Sequence, residues 1–146
     1  MRKPATYALG FVAALLSSVA AAQSTLGDLL DAGATRLSAD AFKEEVVQHT
    51  IVGPTSTGGT MEVMYVSNGS IQGKGTAPMN PQFPILGAVR GEWKIDDADR
   101  VCAAMVMSGT VLPPRCQYWF KLGDAYFISD SDSDRRTKVL QRTIKQ

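Results

Sequence analysis

The chain has 146 residues, of which 45% are hydrophobic, 20% charged and 8% aromatic, and its formal net charge is +1. This balance lacks the charge excess of a disordered chain and the strict repeat of a fibrous one, and the length excludes large enzyme architectures such as TIM barrels. One small domain is expected, with no global field that would select a polyanion.

Arg2 and Lys3 precede an uncharged stretch from Ala5 to Val19 that ends in Ala20-Ala21-Ala22. A positive start, an apolar middle and small residues before the cut are what signal peptidase reads. Residues 1–22 are therefore expected to be a cleaved secretory signal and residues 23–146 a single α+β domain, periplasmic or secreted. The stretch is barely long enough for a roughly 30 Å hydrocarbon core and lacks a stop-transfer charge, and no later stretch has membrane length. Losing Arg2 and Lys3 takes the basic residues from 15 to 13 against 14 acidic ones, a net charge of −1.

Thr25 can cap a short helix whose apolar stripe is Leu26, Leu29 and Leu30 and which stops at Gly33. A second helix starts at Ser38, with Leu37 and Phe42 at hydrophobic-staple spacing, and ends near Gln48. From Gly53 onward the punctuation is that of an antiparallel meander. Met61–Val66 and Ser70–Lys74 flank Asn68-Gly69, a strong hairpin signal. Ala88–Ile95 alternates, with Gly91, Trp93 and Ile95 on one face and Arg90, Glu92 and Lys94 on the other. Val101–Met107, Cys116–Lys121, Tyr126–Ile128 and Val139–Ile144 complete six or seven strands. The expected fold is thus two short N-terminal helices on a six- or seven-stranded antiparallel meander.

Cys102 and Cys116 lie symmetrically about Gly109 on the arms of one predicted hairpin, and a secreted chain meets an oxidising compartment, so a structural disulfide between them is expected. The spacing is not that of a redox or zinc pair. This hairpin is apolar on both faces: Cys102, Ala104, Val106, Tyr118 and Phe120 on one, Ala103, Met105, Met107 and Trp119 on the other. Either the sheet curls into a partly closed barrel, or one face is an exposed patch for a partner.

Chemistry is thinly represented. His49 is the only histidine and has no nucleophile motif near it, which points away from an enzyme. Asp130, Asp132 and Asp134 have the first spacings of a calcium loop, but Arg135 and Gln141 stand where its glycine and glutamate belong, so a solvated turn is expected. Met61 with Met64, and Met105 with Met107, read as core filling rather than a copper site. No metal or cofactor is expected. The basic C-terminal residues Arg135, Arg136, Lys138, Arg142 and Lys145 lack interleaved aromatics, so no nucleic-acid partner is expected either.

The series Leu37-Ser38-Ala39-Asp40-Ala41-Phe42, His49-Thr50-Ile51, Tyr65 with Asn68-Gly69, Gly91-x-Trp93-x-Ile95, Cys102, Cys116-Gln117-Tyr118 and Gly123-Asp124-x-Tyr126 resembles a group of small exported proteobacterial proteins catalogued as a domain of unknown function. The resemblance covers most of residues 23–146 and implies export and a paired-cysteine hairpin, with no reaction attached. There is a looser similarity to lysozyme-inhibitor and lipocalin-like small barrels. Together these features lead to the expectation of a non-enzymatic binding domain. One form recognises a protein or envelope component through an aromatic surface around Trp119 and the Pro78–Pro84 loop. The other holds a small apolar ligand in a barrel pocket lined by Trp93, Tyr118 and Phe120; an inhibitor protein is a further alternative.

Overall fold

Short helices depend on their ends being satisfied, and both helices here are capped by the residue before them. Thr25 Oγ1 accepts the Asp28 amide at 3.2 Å while the Asp28 carboxylate accepts the Thr25 amide at 3.1 Å, a reciprocal box that opens α1 (Leu26–Asp31). After the two-residue strand β1 (Thr35–Arg36), Ser38 Oγ accepts the Ala41 amide and starts α2 (Ala39–Glu45). The computed structural model describes residues 23–56, 58–77 and 85–145. The expected signal over residues 1–22 and the proline loop at 78–84 lie outside them.

Nine further strands follow α2: β2 (Thr50–Pro54), β3 (Thr60–Tyr65), β4 (Ser70–Ala77), β5 (Ile85–Ile95), β6 (Val101–Met107), β7 (Thr110–Val111), β8 (Arg115–Leu122), β9 (Ala125–Ser129) and β10 (Val139–Ile144). Every pairing is antiparallel. In space β8, β9, β10, β2, β3, β4, β5 and β6 are successive neighbours, and β6 pairs back onto β8, so eight strands form a closed barrel with β1 and β7 as additions. The antiparallel sheet and the Asn68-Gly69 hairpin are as expected, with Gly69 at φ +89°.

Two expectations are corrected. The described chain has ten strands rather than six or seven, because β1, β2 and β7 are too short to show a period. Of these, β2 carries a glycine and a proline and reads as a turn, yet it bridges β10 and β3 and thereby completes the ring. Nor do the helices form an N-terminal pair resting on a sheet: they occupy residues 26–31 and 39–45, with β1 between them.

The disulfide hairpin shows why its register held only in part. Cys102 and Cys116 are direct partners and are bonded, as expected. Beyond them the ladder breaks, because Pro113 and Pro114 have no amide to donate. The tip is a separate hairpin in which Val106 pairs with Val111 and Met107 with Thr110, displaced by one residue from the register at the cysteines. Only three residue pairs join β6 to β8. Tight curvature elsewhere relies on glycine: a Cβ on Gly73 or Gly91 would collide with the Glu62 or the Ala104 carbonyl of the next strand.

The helices cover different surfaces. Leu26 and Leu29 of α1 are fully buried against Phe120, Phe127 and Val139 on the outside of the barrel wall. Phe42 of α2 closes one barrel end, with its ring edge-to-face against Tyr65, Trp93 and Trp119 at centroid distances of 5.5, 5.6 and 5.1 Å. The end of α2 is tied to the wall by Glu45, whose carboxylate accepts Lys121 Nζ at 2.6 Å and the Tyr126 hydroxyl at 2.7 Å.

The hydrogen bonds from Lys121 and Tyr126 hold the Glu45 carboxyl below its ordinary pKa of 4.5. A carboxyl depressed on folding contributes stability above its unfolded pKa and loses it as pH falls through the lower folded value. Unfolding midpoints should therefore fall as pH drops below 4.5, and Glu45→Gln should remove a small part of that acid dependence. An identical acid limb in both proteins would show that this contact contributes no pH-linked stability.

A candidate ligand cavity inside the barrel

Alternation along a strand sends every second side chain inward, and in a barrel of eight strands the inward residues either fill the interior or leave room for one small ligand. Here they leave room. A cavity of about 390 Å³ lies between the aromatic layer around Phe42 and the opposite barrel end. Tyr65 and Trp119 form its floor, and Ile51, Val63, Ile128 and Leu140 line its walls. Ser56, Pro113 and Arg115 are exposed and lie at the open end.

Three methionines, Met61, Met105 and Met107, line the same space. Met61 and Met64 are three residues apart on a strand, so they face opposite ways, as the spacing implied. The barrel nevertheless carries Met61 round to the two methionines of β6. Thioether chains are adaptable, which suits walls that close on ligands of differing shape.

Polar groups sit at defined places. Arg115 at the mouth pairs with Asp130 at 3.2 Å, and Gln117 Nε2 donates to the same carboxylate at 2.9 Å. Arg142 enters from β10, between Leu140 and Ile144 on the inward face. Its Nη1 donates to the carbonyls of Pro54 at 2.8 Å and Gln141 at 2.9 Å. Burial lowers the Arg142 pKa and raises that of the Tyr65 hydroxyl, each partly offset by the other. At neutral pH the guanidinium is still charged and the phenol still protonated.

The aromatic residues of the two alternative sites are placed differently from expectation: Trp119, expected on a docking surface, lines the cavity, and Trp93, Tyr118 and Phe120, expected to line a pocket, do not. Trp119 is only 3% exposed and belongs to the cavity floor, so it offers no docking surface. Trp93 faces inward beside Phe42, with its indole Nε1 donating to the Val66 carbonyl at 2.8 Å. Tyr118 and Phe120 flank Trp119 in sequence and so point outward: Tyr118 lies under the Arg36 guanidinium at 5.4 Å, and Phe120 lies under α1. Among the described residues the only exposed large apolar side chains are Val106 and Val111, at the hairpin tip.

Other candidates resolve individually. His49 is exposed, with Nδ1 3.2 Å from the Val47 carbonyl and no carboxylate within 4 Å among the described residues. Asp130, Asp132 and Asp134 do not converge on a point, since they pair with Arg115, Arg36 and Arg136 respectively. The C-terminal basic residues share no face: Arg135 pairs with Asp31, Lys145 with Glu62, and Arg142 turns inward. Asp96 lies near Cys102 and Cys116, but these two sulfurs are bonded to each other and offer no thiolate. No helix among the described residues is long and apolar enough to cross a membrane.

Compared with protein-family models, curated proteins and solved structures, the chain matches none.

Arg142 and Gln117 on the cavity wall, and Arg115 at its mouth, are not among the residues the sequence singles out as a site. A signal was present in the strand Leu140-Gln141-Arg142-Thr143-Ile144, where a cation occupies the apolar face between a leucine and an isoleucine.

Proposed function

We propose that the protein is a non-enzymatic binding domain that carries a small, predominantly apolar molecule inside its barrel. The observation that carries this reading is the cavity itself. Its volume of about 390 Å³ lies in the range of small-molecule sites. Its walls are mostly aliphatic and thioether groups, with a few polar groups at defined positions, as ligand sites require. Recognition of a protein through Trp119 has less support, because that side chain is buried. The disulfide is compatible with an oxidising compartment, and export to the periplasm or medium belongs to the same proposal.

The neutral fluorophore N-phenyl-1-naphthylamine tests the reading. Wild-type protein should bind it saturably at one molecule per chain. Ala103→Trp, which fills the cavity from β6, should weaken that binding by about tenfold or more while leaving the far-ultraviolet dichroism unchanged. Absence of saturable binding, or equal affinity in a folded Ala103→Trp protein, would sink the proposal.

A further inference from the structure

We infer that the ligand is a monocarboxylic acid with an apolar body, and that its carboxylate pairs with Arg142 inside the barrel. The inference rests on the ligand-carrier reading above and names the ligand's chemical class.

The guanidinium lines the cavity, and among the described residues no carboxylate comes within 4 Å of it. By contrast Arg36, Arg100, Arg115, Arg135 and Arg136 each have an acidic partner, and Arg90, which has none among the described residues, is exposed. The residues outside the described set contain no aspartate or glutamate. Arg142 is half-buried at the cavity wall and its unbonded edge stays accessible, so a ligand carboxylate brought there would form a charge-assisted pair in partly desolvated surroundings.

The geometry then specifies the partner. Nη1 is committed to two neutral backbone carbonyls, while Nε and Nη2 make no hydrogen bond among the described residues. Those two nitrogens form the side edge of the guanidinium fork, which matches the two oxygens of a carboxylate. The side chain is held in place across Gly53, where a Cβ would lie 2.6 Å from Nη1 and 3.0 Å from Cδ. The Tyr65 hydroxyl, also on the cavity wall, has no hydrogen-bond partner among the described residues and can donate to the same anion. One cation in an apolar space favours one negative charge, which selects a carboxylate over a doubly charged phosphate ester.

The test displaces N-phenyl-1-naphthylamine with decanoate, methyl decanoate, decan-1-ol and decyl phosphate. In wild-type protein decanoate should compete about tenfold or more better than the ester, the alcohol and the phosphate. Arg142→Met should erase that preference while still binding the fluorophore, and Arg142→Lys, which keeps the charge but not the fork, should retain only part of it. Should Arg142→Met fail to fold, the wild-type preference must still vanish as decanoate protonates in acid, with fluorophore binding unchanged. If the fluorophore binds but decanoate has no advantage, if decyl phosphate is preferred, or if the advantage survives in Arg142→Met, the acid assignment is overturned and the carrier reading stands. If no apolar compound binds, both are overturned.

Discussion

Replacing Phe42 with alanine should cost about 3–5 kcal/mol of folding stability, read as a lower urea midpoint with little change in slope. The ring is 1% exposed and touches Tyr65, Trp93 and Trp119 at once. Its loss removes both the transferred apolar surface and the shared contact of three large side chains, which cannot collapse together because each is fixed to a different strand. Both tryptophans of the chain pack on Phe42. Their emission should therefore shift in the folded variant, a readout separate from stability. A cost below about 1 kcal/mol, typical of a surface substitution, would mean that α2 does not seal the barrel end.

The second large effect concerns the seam between β6 and β8. The 14-residue separation of Cys102 and Cys116 corresponds to about 3 kcal/mol in the chain-entropy account of cross-links. The Cys102→Ser/Cys116→Ser protein should lose about that much, and reduction of the wild type should reproduce the loss. The seam has few other resources, because three residue pairs are all that join these strands and Pro113 and Pro114 interrupt the ladder beyond them. If the double variant matched the oxidised protein in urea, the seam would be held by packing of Val101, Ala103 and Trp119 rather than by the covalent link.

Much of the wall of this barrel was legible in the sequence. Long alternating strands such as Ala88–Ile95 and Val139–Ile144 state their own period, and Asn68-Gly69 states its turn. The cysteines state their pairing through symmetry about Gly109. Closure was not legible, because β2 owes its strand state to partners on both sides rather than to its own residues, two of which are glycine and proline. A barrel pocket is one of two alternatives the sequence leaves open, but none of Trp93, Tyr118 and Phe120, the residues expected to line it, borders the cavity. Face membership within the disulfide hairpin was read correctly, yet nothing local says which of two apolar faces turns inward. That is decided by the helices: α1 covers the face of Phe120, leaving the face of Trp119 to the interior. Arg142 was read as one of a basic cluster because charge along a sequence does not reveal the direction of each side chain.

The ring joins its first strand to its last. β2 and β10 meet through Ile51 with Ile144 and Val52 with Thr143, and the Lys145 amide donates to the Thr50 carbonyl at 2.8 Å. Until residues 139–144 arrive, β2 and β9 each present an unpaired edge, the kind of surface that recruits strands from other chains. At 5–20 residues per second, synthesis of the roughly 90 intervening residues takes on the order of 5–20 s. By the end of that interval, once β9 is complete, a nascent chain holds seven of its eight ring strands and can satisfy neither edge. Aggregation during synthesis should therefore peak late, and a chain stopped before Val139 should be more prone to self-association than one stopped before Thr60, which has made only the first ring strand.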